Sequence, residues 1–111
     1  MKSSICFYLS LVIAATSFAQ TFPVQNLFPA GTVFYQNIPY ANDTLQKHLL
    51  DVYLPPNAKK NLPLVVWIHG GAWMLNNKYS DMSYMKNTVK SFIDSGYALA
   101  SINYRYSTDS V

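Results

Sequence analysis

Glutamate does not occur in this chain of 111 residues, and cysteine, histidine and glycine number only one, two and four. The single cysteine, Cys6, falls within a leading apolar run, so the remainder of the chain has neither a disulfide framework nor a cysteine-based zinc site. The two histidines are His48 and His69, and no metal or cofactor is expected. Charge is also sparse, at 12% of residues. Once Lys2 is set aside with the leading segment, seven basic residues face five aspartates, a net charge of +2. That balance builds no basic stripe, which removes the footprint that nucleic-acid binding requires.

The leading segment has its own character. Met1 and Lys2 precede an apolar run from Ile5 to Ala15, and Ser17-Phe18-Ala19 sets small residues at the −3 and −1 positions before Gln20. This is the pattern of a secretory signal peptide over residues 1–19, cleaved after Ala19. The apolar run falls well short of the ~20 residues that a spanning helix needs, and Cys6 is too far from the cleavage site for a lipid anchor. A secreted or periplasmic chain with no stable membrane anchor is expected.

Tyrosine and phenylalanine, fifteen residues together, are plentiful instead. Residues 20–31, with Pro23 and Pro29, read as an extended leader, and 32–111 as the folded part. Thr32–Ile38 (TVFYQNI) and His48–Leu54 (HLLDVYL) are strands, closed by Pro39 and by Pro55-Pro56. Between them Asn42-Asp43-Thr44 reads as an Asx-type turn in preference to a glycosylation sequon. Asn57–Asn61 is a polar surface loop. Leu64–Ile68 (LVVWI) is a continuous apolar run between Pro63 and the glycines, the mark of a strand covered on both faces. Met82, Met85, Val89, Phe92 and Ile93 then form one helical stripe, with Ser80 or Ser83 as candidate N-cap and Gly96 as terminator. Tyr97–Tyr104 (YALASINY) is a fourth strand, parallel to LVVWI because a helix connects them.

The chemistry concentrates in His69-Gly70-Gly71-Ala72-Trp73, directly after LVVWI. Ligands gather at the carboxyl ends of parallel strands. Acyl transfer develops negative charge on an oxygen that backbone N–H groups stabilise, and glycines let the backbone approach it without a Cβ in the way.

On "LLDVYLPPNA", "PLVVWIHGGAWM", "FIDSGYALASI" and "NYRYS" the chain resembles the N-terminal part of an α/β-hydrolase of the esterase/lipase group with a His-Gly-Gly-Gly-type motif. It is similar to secreted bacterial carboxylesterases of the feruloyl and acetyl-xylan esterase kind. The resemblance implies an α/β fold: two strands followed by a strand–helix–strand unit, with an incomplete sheet. It implies that Gly71 and Ala72 offer N–H groups to the oxyanion, that Gly70 permits the turn, that His69 holds the loop, and that Trp73 contacts substrate. Ala72 stands where many relatives have a third glycine. Arg105, in Asn103-Tyr104-Arg105, is implied to be a scaffold ion-pair partner. The substrate is expected to be a small-molecule or polysaccharide-linked ester.

Other residues have structural readings: His48 within its strand, Asp51 at a strand end or surface, Asp94 at the helix end. The triad of this fold needs Gly-x-Ser-x-Gly, then an acid and a histidine. None of the four glycines brackets a serine, and no histidine follows His69. The chain is therefore read as a truncated fragment of a serine esterase, inactive as given. Two alternatives are a small secreted carbohydrate-binding module and an amidase relative of the kynurenine formamidase kind.

Overall fold

The computed structural model describes residues 23–110, so the expected signal peptide over 1–19 lies outside the described residues. Among the described residues four strands form one mixed sheet: β1 (Val33–Pro39), β2 (Leu49–Leu54), β3 (Leu64–Ile68) and β4 (Ala98–Ile102), with one α-helix, α1 (Lys86–Asp94), between the last two. Their spatial order is β1-β2-β4-β3. β1 and β2 are antiparallel, with a bulge between Tyr35 and Ile38, and β2 is antiparallel to β4. β3 and β4 run parallel and in register from Leu64 opposite Ala98 to Ile68 opposite Ile102. This is the α/β arrangement expected from the sequence.

Helix α1 starts later than its apolar stripe implies. Met82 and Met85 belong to the turns ahead of it, and neither Ser80 nor Ser83 caps it; Met85 holds the N-cap position with no side-chain cap bond. Asp81, at φ 66°, takes the backbone off the helical path there. The far end follows the glycine rule. Gly96, at φ +84°, lets its own N–H reach the Ile93 carbonyl and the Tyr97 N–H reach that of Phe92, the paired bonds of a Schellman motif. Phe92 and Tyr97 pack across it with ring centroids 6.0 Å apart. Asp94 is indeed at the helix end, paired with Lys90 one turn back.

The core lies on one face of the sheet, where Tyr53, Leu99, Val89, Ile93 and Met82 are fully buried. The stretch expected to be an extended leader contributes to it. A 3-10 turn at Gln25–Leu27 folds back, burying Val24 and Phe28. Phe28 sits 4.6 Å from the Tyr53 ring and edge-on to Phe34 at 5.4 Å. Periodicity could not reveal this, because a 3-10 turn of this length carries no repeat.

The strand buried on both sides is β4 and not β3. Ala98 to Ser101 are all buried, whereas β3 alternates and leaves Leu64, Val66 and Ile68 exposed at 57, 49 and 67%. Its uniformly apolar composition concealed that alternation. Among the described residues β3 has one strand neighbour, β4, and its other edge has no strand paired to it. Such an edge templates association between chains. Val66→Lys is expected to suppress self-association: sedimentation should shift from oligomers towards monomer. An unchanged oligomer distribution would place the contact elsewhere.

Candidate active site

The loop after β3 is set by pinned carbonyls. The His69 carbonyl accepts the Tyr104 hydroxyl at 2.7 Å, and the Gly70 N–H donates to Asp81 Oδ2 at 3.0 Å, so the 69–70 peptide is held at both ends. The Gly70 carbonyl accepts from His69 Nδ1 at 2.7 Å and from Asn76 Nδ2 at 3.3 Å. Because a carbonyl can only accept, His69 carries a proton on Nδ1. The Gly71 carbonyl accepts from the N–H groups of Met74 and Leu75, both at 3.0 Å.

Peptide planarity turns these bonds into an aim. In a trans peptide the N–H points opposite to the preceding carbonyl. Fixing the Gly70 and Gly71 carbonyls therefore fixes the N–H groups of Gly71 and Ala72 on the other side. Among the described residues neither of these two N–H groups has an acceptor. Their residues line a cavity of ≈360 Å³ together with Ile68, His69, Gly70, Trp73 and Tyr104.

The geometry requires an unusual backbone. Gly71, Ala72 and Trp73 have φ of +125°, 53° and 57°, three successive residues in the left-handed half of conformational space. A Cβ on Gly71 would stand 2.3 Å from the Leu75 carbonyl oxygen. Ala72 carries a Cβ in a conformation that costs an L-residue about 1–2 kcal/mol.

The five expected site residues, His69, Gly70, Gly71, Ala72 and Trp73, are thus together on one cavity. His69 is buried, stacked on Tyr104 at 4.3 Å, and its Nε2 has no partner among the described residues. Trp73 is 73% exposed and forms cavity wall, not core. His48, expected within a strand, instead ends a 3-10 turn (Gln46–His48) just ahead of β2, and it is not on the cavity but pairs with Asp43 at 2.5 Å; Asp43 also accepts the Leu45 N–H at 3.0 Å, closing the Asx turn. The His48 bond, then the Leu45 N–H, hold the Asp43 carboxyl below its ordinary value.

Two expectations need correction. Asp51 is neither a strand end nor a surface residue: it lies within β2, fully buried, 2.9 Å from the equally buried Lys78 ammonium. Arg105, expected in a scaffold ion pair, is exposed and makes none among the described residues. The segment after β4 does brace the loop, but through other atoms. Tyr104 and Tyr106 donate their hydroxyls to the carbonyls of His69 and Asn76, and the Ser107 N–H donates to that of Trp73 at 2.8 Å.

The Asp51–Lys78 pair anchors the loop's far end, and sequence reasoning missed it. The β1 bulge turns Asn37 so that its N–H reaches Asp51 Oδ1 at 2.9 Å while its side-chain oxygen takes the Lys78 ammonium at 2.5 Å. The Lys78 N–H meets Asn103 Oδ1 at 2.8 Å, and the Ser101 hydroxyl donates to the Lys78 carbonyl. The one signal was an aspartate inside an apolar strand, which demands a partner.

Burial, then the Asp51 charge, raise the Tyr53 hydroxyl pKa, and the same causes push Tyr79 up to about 12. Both tyrosines are neutral more persistently when folded than when unfolded. Their contribution is therefore complete below the ordinary tyrosine value near ~10 and lost as pH rises towards 12. Urea midpoints are expected to hold up to pH ~10 and fall above it, with late tyrosinate absorbance. A flat profile through pH 12 would contradict these placements.

Among the described residues, no three His, Cys, Asp or Glu side chains gather as a metal site, and no helix is long and apolar enough to cross a membrane. No curated protein matches the chain. Among solved structures, a bifunctional GH43-CE protein from Bacteroides eggerthii is 40% identical over 69% of this chain and 10% of its own, with a TM-score of 0.56. A truncated carbohydrate esterase from gut microbiota is 32% identical over 71% of this chain and 27% of its own, with a TM-score of 0.58. Esterase B from Lactobacillus rhamnosis shares the fold, at 22% identity over 72% of this chain and 24% of its own, with a TM-score of 0.57. The chain thus spans about a quarter or less of these structures' lengths. A family model described as BD-FAE matches residues 50–111, a stretch that begins within β2 and holds β3, the loop, α1 and β4. With that match, and with the fold it shares with these esterases, the chain belongs to the BD-FAE family of esterase-related α/β-hydrolases.

Proposed function

We propose that this chain supplies the oxyanion-binding part of an exported carboxylic ester hydrolase. The observation that carries the reading is the pair of partnerless N–H groups, Gly71 and Ala72, on the cavity beyond β3. In ester hydrolysis the carbonyl oxygen gains negative charge as the nucleophile adds. Donors already in place stabilise that charge with no reorganisation, and losing one typically slows an enzyme about 10²–10³-fold. His69 and Gly70 are support: the imidazole fixes the carbonyl whose peptide aims the Gly71 N–H. Trp73 forms the substrate wall.

The chain does not start the reaction. It contains no Gly-x-Ser-x-Gly, no glutamate and no histidine after His69. A nucleophile and its base must come from outside these 111 residues, and the chain alone is inactive. The similar structures described as carbohydrate esterases favour small-molecule or polysaccharide-linked esters as substrates. Export rests on the basic start, the apolar run and Ser17-Phe18-Ala19.

Two arms test this. Alone, the chain should leave p-nitrophenyl acetate at its background rate and take no label from a fluorophosphonate. Residues 50–107, exchanged into the gut-microbiota carbohydrate esterase, should sustain hydrolysis. A labelled serine in the chain alone, or a folded but inactive chimera, would refute the proposal.

A further inference from the structure

Beside the oxyanion cavity lies a second one of ≈340 Å³, walled by Trp73, Arg105, Tyr106, Ser107 and Asp109. Trp73 lines both. We propose that this second cavity is a subsite for a carboxylate-bearing sugar, a hexuronate on the alcohol side of the ester, held by Arg105 and stacked on Trp73. The inference rests on the ester-hydrolase reading above and names the substrate class of that site.

The charges are unevenly engaged. Arg105 is exposed and has no carboxylate at ion-pair distance among the described residues. Asp109, on the same cavity, is occupied by its own turn, where Oδ2 accepts the Tyr106 N–H at 2.7 Å. Lys47 lies outside the cavity lining, its Nζ 3.0 Å from the Tyr106 ring centroid. Asp43 is already engaged by His48. On the cavity itself Arg105 is thus the cation without a carboxylate, while Asp109 is held by its own turn, which leaves the guanidinium as the group that can take an anion.

The shape narrows the anion further. A guanidinium presents a planar fork that matches a carboxylate through two parallel bonds. An exposed indole offers a rigid apolar face with little conformational entropy to lose. A simple carboxylate would use Arg105 and leave the indole wet, and a neutral sugar would do the reverse. An acidic sugar uses both. The volume is near the lower end of ligand pockets, roughly 300–1,000 Å³, and suits one ring. The Ser107 N–H bond to the Trp73 carbonyl, at 2.8 Å, ties the two walls together.

Tryptophan fluorescence of the full chain, titrated with methyl glucuronide, methyl glucoside and acetate, tests this. The glucuronide should bind roughly three- to tenfold more tightly than the glucoside, as an exposed ion pair allows, and acetate should give no saturable change. High salt should erase the preference. Arg105→Ala should abolish it and Arg105→Lys retain only part, both with unchanged circular dichroism; Trp73→Phe should lose the signal for both sugars. Equal affinities, or a preference that survives Arg105→Ala, would overturn the subsite. Phenylphosphonate, read at the Gly71 and Ala72 amides, keeps the two readings apart. If it binds there and the glucuronide shows no preference, the subsite fails and the oxyanion reading stands; the reverse result separates them the other way.

Discussion

Lys78→Met should lower the free energy of unfolding by about 3–5 kcal/mol, the loss expected when one partner of a buried ion pair is removed. Lys78 and Asp51 are 2.9 Å apart with side chains 4% and 0% exposed, so the remaining carboxylate would be stranded without water. The Tyr53 hydroxyl and the Asn37 N–H would still donate to it, but neither carries charge. The double variant Asp51→Leu, Lys78→Met should recover much of the loss, because it removes the uncompensated charge along with its partner. Urea denaturation at submicromolar concentration reads both. A single-variant loss below about 1 kcal/mol, the range of exposed pairs, would mean that water reaches the pair.

Gly71→Ala should be the most damaging change in the loop. At φ +125° the new side chain would enter a region of backbone space sparsely open to L-residues, at about 1–3 kcal/mol. Its Cβ would also stand 2.3 Å from the Leu75 carbonyl oxygen, which is backbone and cannot rotate away. That carbonyl belongs to the turn closed by the Met74 and Leu75 bonds to Gly71, so the turn must open. The expected outcome is a stability loss of roughly 2 kcal/mol or more, seen as a fall of roughly 8–16 °C in Tm. In the chimera, activity should fall about 10²–10³-fold while the fold is retained below that Tm. Near-wild-type activity would remove Gly71 from the account.

Local signals made the framework of this molecule legible. The Leu64–Ile68 strand falls where its apolar run does, and Gly96 ends α1 in the manner its sequence position implies. The loop was legible because glycines directly after a buried-type strand are hard to explain by packing alone. Long-range features were not. Nothing adjacent in sequence couples Asp51, Lys78 and Asn37; the β1 bulge and the β2–β4 pairing bring them together. Likewise Tyr104 and Tyr106 look like strand-end aromatics until their hydroxyls are found on the loop's carbonyls. An apolar strand cannot announce which face lacks cover, so the half-exposed β3 reads as a strand covered on both faces. Arg105 differs, since the ion pair that its motif implies is not found among the described residues.

The most direct measurement follows the backbone amides of the ¹⁵N-labelled chain as phenylphosphonate is added. Saturable downfield shifts of Gly71 and Ala72 together are expected, with Gly70 unmoved because Asp81 already holds its N–H. Movement of Gly70 in place of its two successors, or no movement of Gly71 and Ala72, would contradict the assignment of these amides as the oxyanion donors.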